Sequence, residues 1–294
     1  MDRLKSAFAK LSSNSQAPVA SNDRPADGSP QAALRSNTRL AWPPKFACPP
    51  RLLGEVKDVS GRQYPRDLGR SVELGGHMYY IFGDTFCFND NGDFVGVTNN
   101  SIALIPDMSN PTKSKYMHPD PKVPEFVPYT HEEKEFCERP ENTKANRRIK
   151  TDADFADKTN YQFLKKSGKW ESTYTQPHGP FGELAHDVLC GQGQGAIVHV
   201  PEFAPLGKEY LWIGCAKFMV SKLYVGAAPR PEGPWDVHEL GEMPKITDHA
   251  KTRYCIYPHL WGSNLGEGKI LITWSDDGTL GGKVAAGMFT FALE

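Results

Sequence analysis

The chain has 294 residues, with 34 Lys and Arg against 35 Asp and Glu, for a formal net charge of -1. That balance excludes the basic footprint of a general nucleic-acid binder, and no apolar run approaches the roughly 20 residues of a membrane span. Gly at 27 and Pro at 24, with 15 Phe, 11 Tyr and 6 Trp, suit short strands joined by turns around a sizeable core.

Residues 1–44 are rich in Ser, Ala, Asn, Asp and Pro and hold few aromatics before Trp42. Such a composition buries too little apolar surface to order itself, which predicts a disordered tail. Its first residues, MDRLKSAFAKLSSN, lack the apolar stretch of a secretory signal. The expectation is a cytoplasmic protein whose six cysteines (Cys48, Cys87, Cys137, Cys190, Cys215 and Cys255) stay reduced. No two of them share a C-x-x-C spacing, so no metal centre and no cofactor is expected.

From residue 45 to 294 the texture changes to β-rich runs punctuated by Gly, Pro, Asn and Asp, which predicts one all-β domain. The runs are Arg70–Leu74, His77–Phe82, Ser101–Ile105, Ala196–Val200, Tyr210–Lys217, Lys222–Ala227, Trp235–Leu240, Tyr254–Leu260, Lys269–Trp274 and Ala285–Leu293. None sustains a helical period. A loose repeat, GGHMYYIFG, GKEYLWIG and GEGKILITW, each a Gly-containing turn followed by an apolar strand, favours a five-bladed β-propeller over a sandwich. Residues 109–170 are charged and Pro-rich and read as a blade carrying a long inserted loop, with His131–Glu138 a short helix.

Within the first hairpin, Arg70–Leu74 and His77–Phe82 flank a Gly75-Gly76 turn. The fold-back brings Asp67 and Asp84, seventeen positions apart, to one rim of the sheet. Two carboxyls so placed are the equipment of glycosidic-bond hydrolysis, one acting as acid and the other as base or nucleophile; the plainer alternative is turn chemistry. Arg66 and Arg70 flank Asp67, and Arg70 is placed to hold a carboxylate ionised. Glu183, His186 and Asp187 are candidates for a third carboxylate that tunes the acid. Gly191-Gln192-Gly193-Gln194-Gly195 has no following helix and so is no phosphate loop; it reads as a turn whose backbone approaches a ligand or another blade.

Three pieces resemble the five-bladed propeller glycoside hydrolases, in particular a domain-of-unknown-function group related to microbial endo-D-arabinanases. They are Arg66–Thr85 (RDLGRS…YYIFGDT), Pro231–Trp235 (PEGPW) and Tyr257–Ser275 (YPHL…GKILITWS). The resemblance implies that Asp67 and Asp84 are the catalytic carboxyls. It also implies that His259, with Tyr257, lies beside a central funnel that takes an arabinose-containing or other furanosidic glycan. The charged middle of the chain and the missing signal depart from a secreted polysaccharidase. Two rival readings are a non-catalytic carbohydrate- or small-molecule-binding propeller and an intracellular enzyme reusing the funnel on a non-sugar metabolite. A monomer is expected in each case.

Overall fold

A computed structural model describes residues 38–117, 163–164, 170–171, 194–277 and 282–294, apart from Gln63, Asp90, Asn99, residues 216–220 and His249. In chain order the first strands are β1 (Arg51–Glu55), β2 (Lys57–Asp58), β3 (Arg66–Leu74), β4 (His77–Phe88), β5 (Phe94–Thr98), β6 (Ser101–Leu104) and β7 (Lys113–Tyr116). A short hairpin, β8 (Phe163–Leu164) and β9 (Trp170–Glu171), follows. Next come β10 (Gln194–His199), β11 (Tyr210–Cys215), β12 (Lys222–Ala228) and β13 (Asp236–Glu242). The last three are β14 (Thr252–Asn264), β15 (Lys269–Asp277) and β16 (Lys283–Thr290). Apart from one 3-10 turn at Leu265–Glu267, the regular structure among the described residues is all β.

Three sheets carry the fold. One runs β3-β4-β6-β7-β2, with β5 on the extended end of β4; the second runs β10-β11-β12-β13; the third runs β14-β15-β16-β1. The third sheet joins the chain's two ends, since β1 pairs antiparallel with β16. Bridges Leu40 to Leu293 and Phe46 to Phe291 extend that join.

The middle strand of the third sheet explains why the sheets stack. Along Lys269–Asp277 successive side chains alternate between faces; one face is apolar, and the other buries Leu271 beside Thr273 and Ser275. Ile270, Ile272 and Trp274 pack with Leu211, Ile213, Leu223, Val225, Ile256 and Phe289, while Leu271 packs with Tyr80, Phe82, Val284 and Ala286. A strand buried on both faces must be covered on both. The third sheet is therefore flanked by the other two, with β14 against β10 and β11 on one side and against β3 on the other. Burying an Ile or Leu side chain contributes roughly 1.5–3 kcal/mol. Trp274, fully buried, is the single side chain whose truncation costs most, about 3–5 kcal/mol.

Each of the ten expected runs overlaps a strand among the described residues, and the Gly75-Gly76 turn has the paired positive φ values (58° and 77°) of a type I′ hairpin. Two features add to those expectations. The ordered chain starts before residue 45: Leu40 is buried, Ala41 N–H donates to Ala292 O, and Arg39 exchanges backbone hydrogen bonds with Glu294. The reason is that Leu40 supplies an apolar side chain to the core the composition count overlooked. Residues 113–116 form a strand, β7, inside the stretch read as a blade carrying a long inserted loop, because Ser114 and Tyr116 face inward between exposed lysines. The remainder of the tail, and His131–Glu138, lie outside the described residues.

Candidate active site

Asp67 lies at a pair of opposed irregularities in the β3–β4 ladder. Arg66 pairs with Thr85 but Leu68 pairs with Phe82, so β4 spends an extra residue at Gly83-Asp84 opposite Asp67. Leu68 pairs with Phe82 and Arg70 with Ile81, so β3 spends an extra residue at Gly69. Bulges of this kind bend a strand and re-aim its side chains. Gly69 has φ 81°, and a Cβ there would lie 2.7 Å from Val284 Cγ1, so glycine permits both the turn and the close approach to β16.

Both aspartates thus sit inside the paired ladder rather than at strand ends. Asp84 is exposed and Asp67 is half-buried. Burial pushes the Asp67 carboxyl up to about 6, and the charge of Asp84 acts in the same direction. The Tyr254 hydroxyl, 3.4 Å from Asp67 Oδ2, and the backbone N–H groups of Asp67 and Asp84 pull it back only in part. The carboxyl is packed over Gly83: a Cβ on that residue would come within 2.3 Å of Asp67 Oδ1 and 2.9 Å of Leu68 Cδ1.

The neighbouring strand is irregular at the matching place. Tyr254 pairs with Ser275 and Tyr257 with Thr273, so β14 spends one extra residue at Cys255-Ile256. Residues three apart would point to opposite faces of a regular strand. With the two bulges aligned, Asp67 meets Tyr254 while Arg70 meets Tyr257. Arg70 Nη2 donates to Tyr257 Oη at 2.8 Å, and its guanidinium lies 4.6 Å above the Tyr257 ring. Tyr254, Cys255 and Tyr257 form one buried cluster, capped by Leu68 and Ala196.

Cys255 and Leu68 are the non-glycine residues with positive φ among the described residues, at 52° and 71°. Such conformations cost of order 1–3 kcal/mol each and persist only where the surroundings hold them. Here Leu68 N–H donates to Ser275 Oγ at 3.1 Å, and Cys255 N–H donates to Gln194 Oε1 at 2.9 Å. Cys215 Sγ also donates to Gln194 Oε1, at 3.6 Å. Burial and the nearby Asp67 charge push the Cys255 thiol up to about 12, so it stays protonated and is no nucleophile.

Two expected ligand contacts do not lie with this group. Arg66 is buried and turned to the other face of β3, where its guanidinium stacks 3.6 Å over Phe82 and Nη2 donates to Ser114 Oγ at 2.7 Å. Strand alternation separates it from Asp67, its immediate neighbour. His259 is also buried, with Nδ1 2.7 Å from Ser71 Oγ and Nε2 2.7 Å from Thr273 Oγ1. Burial holds this imidazole down to about 3, so it stays neutral as a peg fastening β3 and β15 to β14. Glu183, His186 and Asp187 lie outside the described residues.

Tyr254 and Gln194 are contributions that the sequence reading did not single out. Gln194 belongs to the run read as a turn near a ligand or another blade, and it reaches a neighbouring sheet. Glycines interrupting otherwise apolar strands, Gly69 and Gly83, are the signal for the bulges, as is Pro258 within β14. Among the described residues no group of three His, Cys, Asp or Glu is placed to hold a metal ion, and no helix is long and apolar enough to cross a membrane. The described cysteines, Cys48, Cys87, Cys215 and Cys255, are free thiols.

No family model matches the chain, and no curated protein matches it. Among solved structures it is similar to a protein of Bacteroides ovatus ATCC 8483 described as a "putative hydrolase", at 12% identity and a TM-score of 0.38 over 78% of this chain. The chain spans 63% of that protein's length. Likeness of that degree fixes neither family nor activity.

Proposed function

We propose that the protein is a glycoside hydrolase built on a five-bladed β-propeller, acting on a furanosidic or related glycan with Asp67 as general acid and Asp84 as base or nucleophile. Two antiparallel four-stranded sheets, with the chain's first strand on the outer edge of its last sheet, suit blades closed by pairing of the two ends. Residues 45–294 have the length for five blades at roughly 40–50 residues each.

The observation that carries the reading is the Asp67 carboxyl, raised to about 6 beside a second carboxylate at a doubly bulged, strained point of the ladder. A carboxylic acid that keeps its proton up to about pH 6 is suited to donate it to a departing sugar oxygen. Asp84, exposed and adjacent, is free to take the complementary role.

The test is release of reducing ends from a panel of arabinose-containing and other glycans by the wild type, Asp67→Asn and Asp84→Asn. Turnover that both substitutions abolish, in folded protein, supports the assignment. Full activity in both variants refutes it, and binding without turnover of any glycan returns the protein to the binding-module reading.

A further inference from the structure

Arg70 is a cation that the fold has positioned without a carboxylate partner among the described residues. Its guanidinium is fixed on one side by the Tyr257 ring and by the Tyr257 hydroxyl, which itself belongs to a fully buried side chain. The residue as a whole is exposed, and it forms no ion pair with a described carboxylate. A guanidinium carries five N–H donors in a flat fork. The bond to Tyr257 engages one edge of that fork and leaves donors facing solvent.

Its placement follows from the matched bulges. Without the extra residue at Gly69, Arg70 and Asp67 would lie on opposite faces of β3. With it, and with the matching extra residue of β14, both side chains meet that strand, Asp67 at Tyr254 and Arg70 at Tyr257. Two strand positions are about 7 Å, close to the span of one sugar ring. A held, desolvated aromatic beneath a cation also loses little rotamer entropy when the cation binds an anion.

We infer that Arg70 reads an oxyanion, a carboxylate or a phosphate, on the sugar unit next to the bond that Asp67 protonates, so that the preferred substrate is an acidic rather than a neutral glycan. This rests on the hydrolase reading of the same site. Arg forks match carboxylate and phosphate geometry with two parallel hydrogen bonds. The exposed charge of Asp84 lies on the Asp67 side of the site, which favours seating the ligand's anion at the Arg70 end.

The experiment is titration calorimetry on the full chain carrying Asp67→Asn, which removes the acid while keeping its shape. The probes are oligogalacturonides and glucuronate-bearing xylo-oligosaccharides for the carboxylate arm, arabinose 5-phosphate for the phosphate arm, and neutral arabino-oligosaccharides. One acidic arm is expected to bind at least about tenfold more tightly than the neutral probes, the size of a charge-assisted pair. Adding Arg70→Gln removes that preference, Arg70→Lys recovers part of it, and Tyr257→Phe, which frees the fork, gives an intermediate loss. Equal affinity for acidic and neutral probes, no binding of any acidic probe, or an unchanged preference in a folded Arg70→Gln protein overturns the inference. Tight acidic binding with no turnover of any glycan by the wild type would sink the hydrolase reading alone. Hydrolysis of a neutral glycan unaffected by Arg70→Gln would sink this inference alone.

Discussion

Leu68 packs against the buried cluster that holds Cys255, and both residues have left-handed backbone conformation, at φ 71° and 52°. Each is the point at which its strand accommodates an irregular register, and Asp67 lies directly beside the pair. Strain concentrated at one place needs support, and Ser275 Oγ and Gln194 Oε1 supply it to the two backbone amides. The arrangement holds a carboxyl where folding alone would not choose to put it.

Asp67→Asn should therefore stabilise the protein while abolishing turnover. The native carboxyl stands at about 6 against an ordinary 3.8, mainly through burial. Between those values the folded state holds more protons than the unfolded, so stability falls as pH rises through the window, and the full penalty is present above about 6. Conversion at 1.36 kcal/mol per unit, discounted for partial solvent screening, gives roughly 1–2 kcal/mol. Urea unfolding should show that gain for Asp67→Asn at pH 7.5 and none at pH 3.5. A variant less stable than wild type at pH 7.5 would contradict the desolvation account.

With Asp67 as acid, kcat/KM should fall on the alkaline side of about pH 6, tenfold per unit. Tyr254→Phe removes a hydroxyl that favours the ionised carboxylate. The descending limb should then move to higher pH, by less than about one unit because the hydrogen bond is long. Movement to lower pH would show that Tyr254 acts otherwise.

Gly83→Ala probes the position of the carboxyl rather than its charge. The new methyl would occupy space 2.3 Å from Asp67 Oδ1, and the flexible carboxylate can swing aside more readily than the ladder can. The fold should survive with a modest loss of unfolding midpoint. Activity should fall about 100-fold, the usual cost of misplacing a reacting group by an ångström. Wild-type kcat in Gly83→Ala would mean that Asp67 does not work from its observed position.

The contrast between the legible and the hidden parts of this site has a physical basis. Alternating apolar residues reveal strands because one face of a strand must be buried, and the hairpin at Gly75-Gly76 is local chemistry. Asp67 and Asp84 could be matched across it for that reason. Tyr254 and Gln194 reach Asp67 and Cys255 from strands far along the chain, through sheet packing that no local pattern encodes. The surroundings of Arg66 and His259 were hidden for a simpler reason: alternation carries Arg66 to the face opposite Asp67, and two hydroxyls let His259 be buried neutral. Strand β7 was hidden because Lys113 and Lys115 mask the two inward residues between them.

His259 and Asp67 should drive acid stability in opposite directions across one pH range. Burial keeps the imidazole at about 3 against an ordinary 6.5. Between those values the unfolded chain takes up a proton that the folded protein refuses, so this residue lowers stability as pH falls below 6.5. Asp67 raises stability over part of the same interval, as pH falls from about 6 to 3.8. Glutamine at 259 keeps a donor and an acceptor for Ser71 and Thr273 and cannot titrate. His259→Gln should cost about 1–3 kcal/mol at pH 7.5 through imperfect packing and hydrogen bonding. Its stability should nevertheless decline less steeply than wild type between pH 6.5 and 4.5, by up to about 1.4 kcal/mol per unit. Asp67→Asn should show the reverse, a steeper decline over that interval. Urea midpoints at pH 4.5, 5.5, 6.5 and 7.5 for the three proteins decide the matter. Parallel curves for wild type and His259→Gln would mean that the imidazole takes its proton in the folded state, which a fully buried peg between two hydroxyls does not allow.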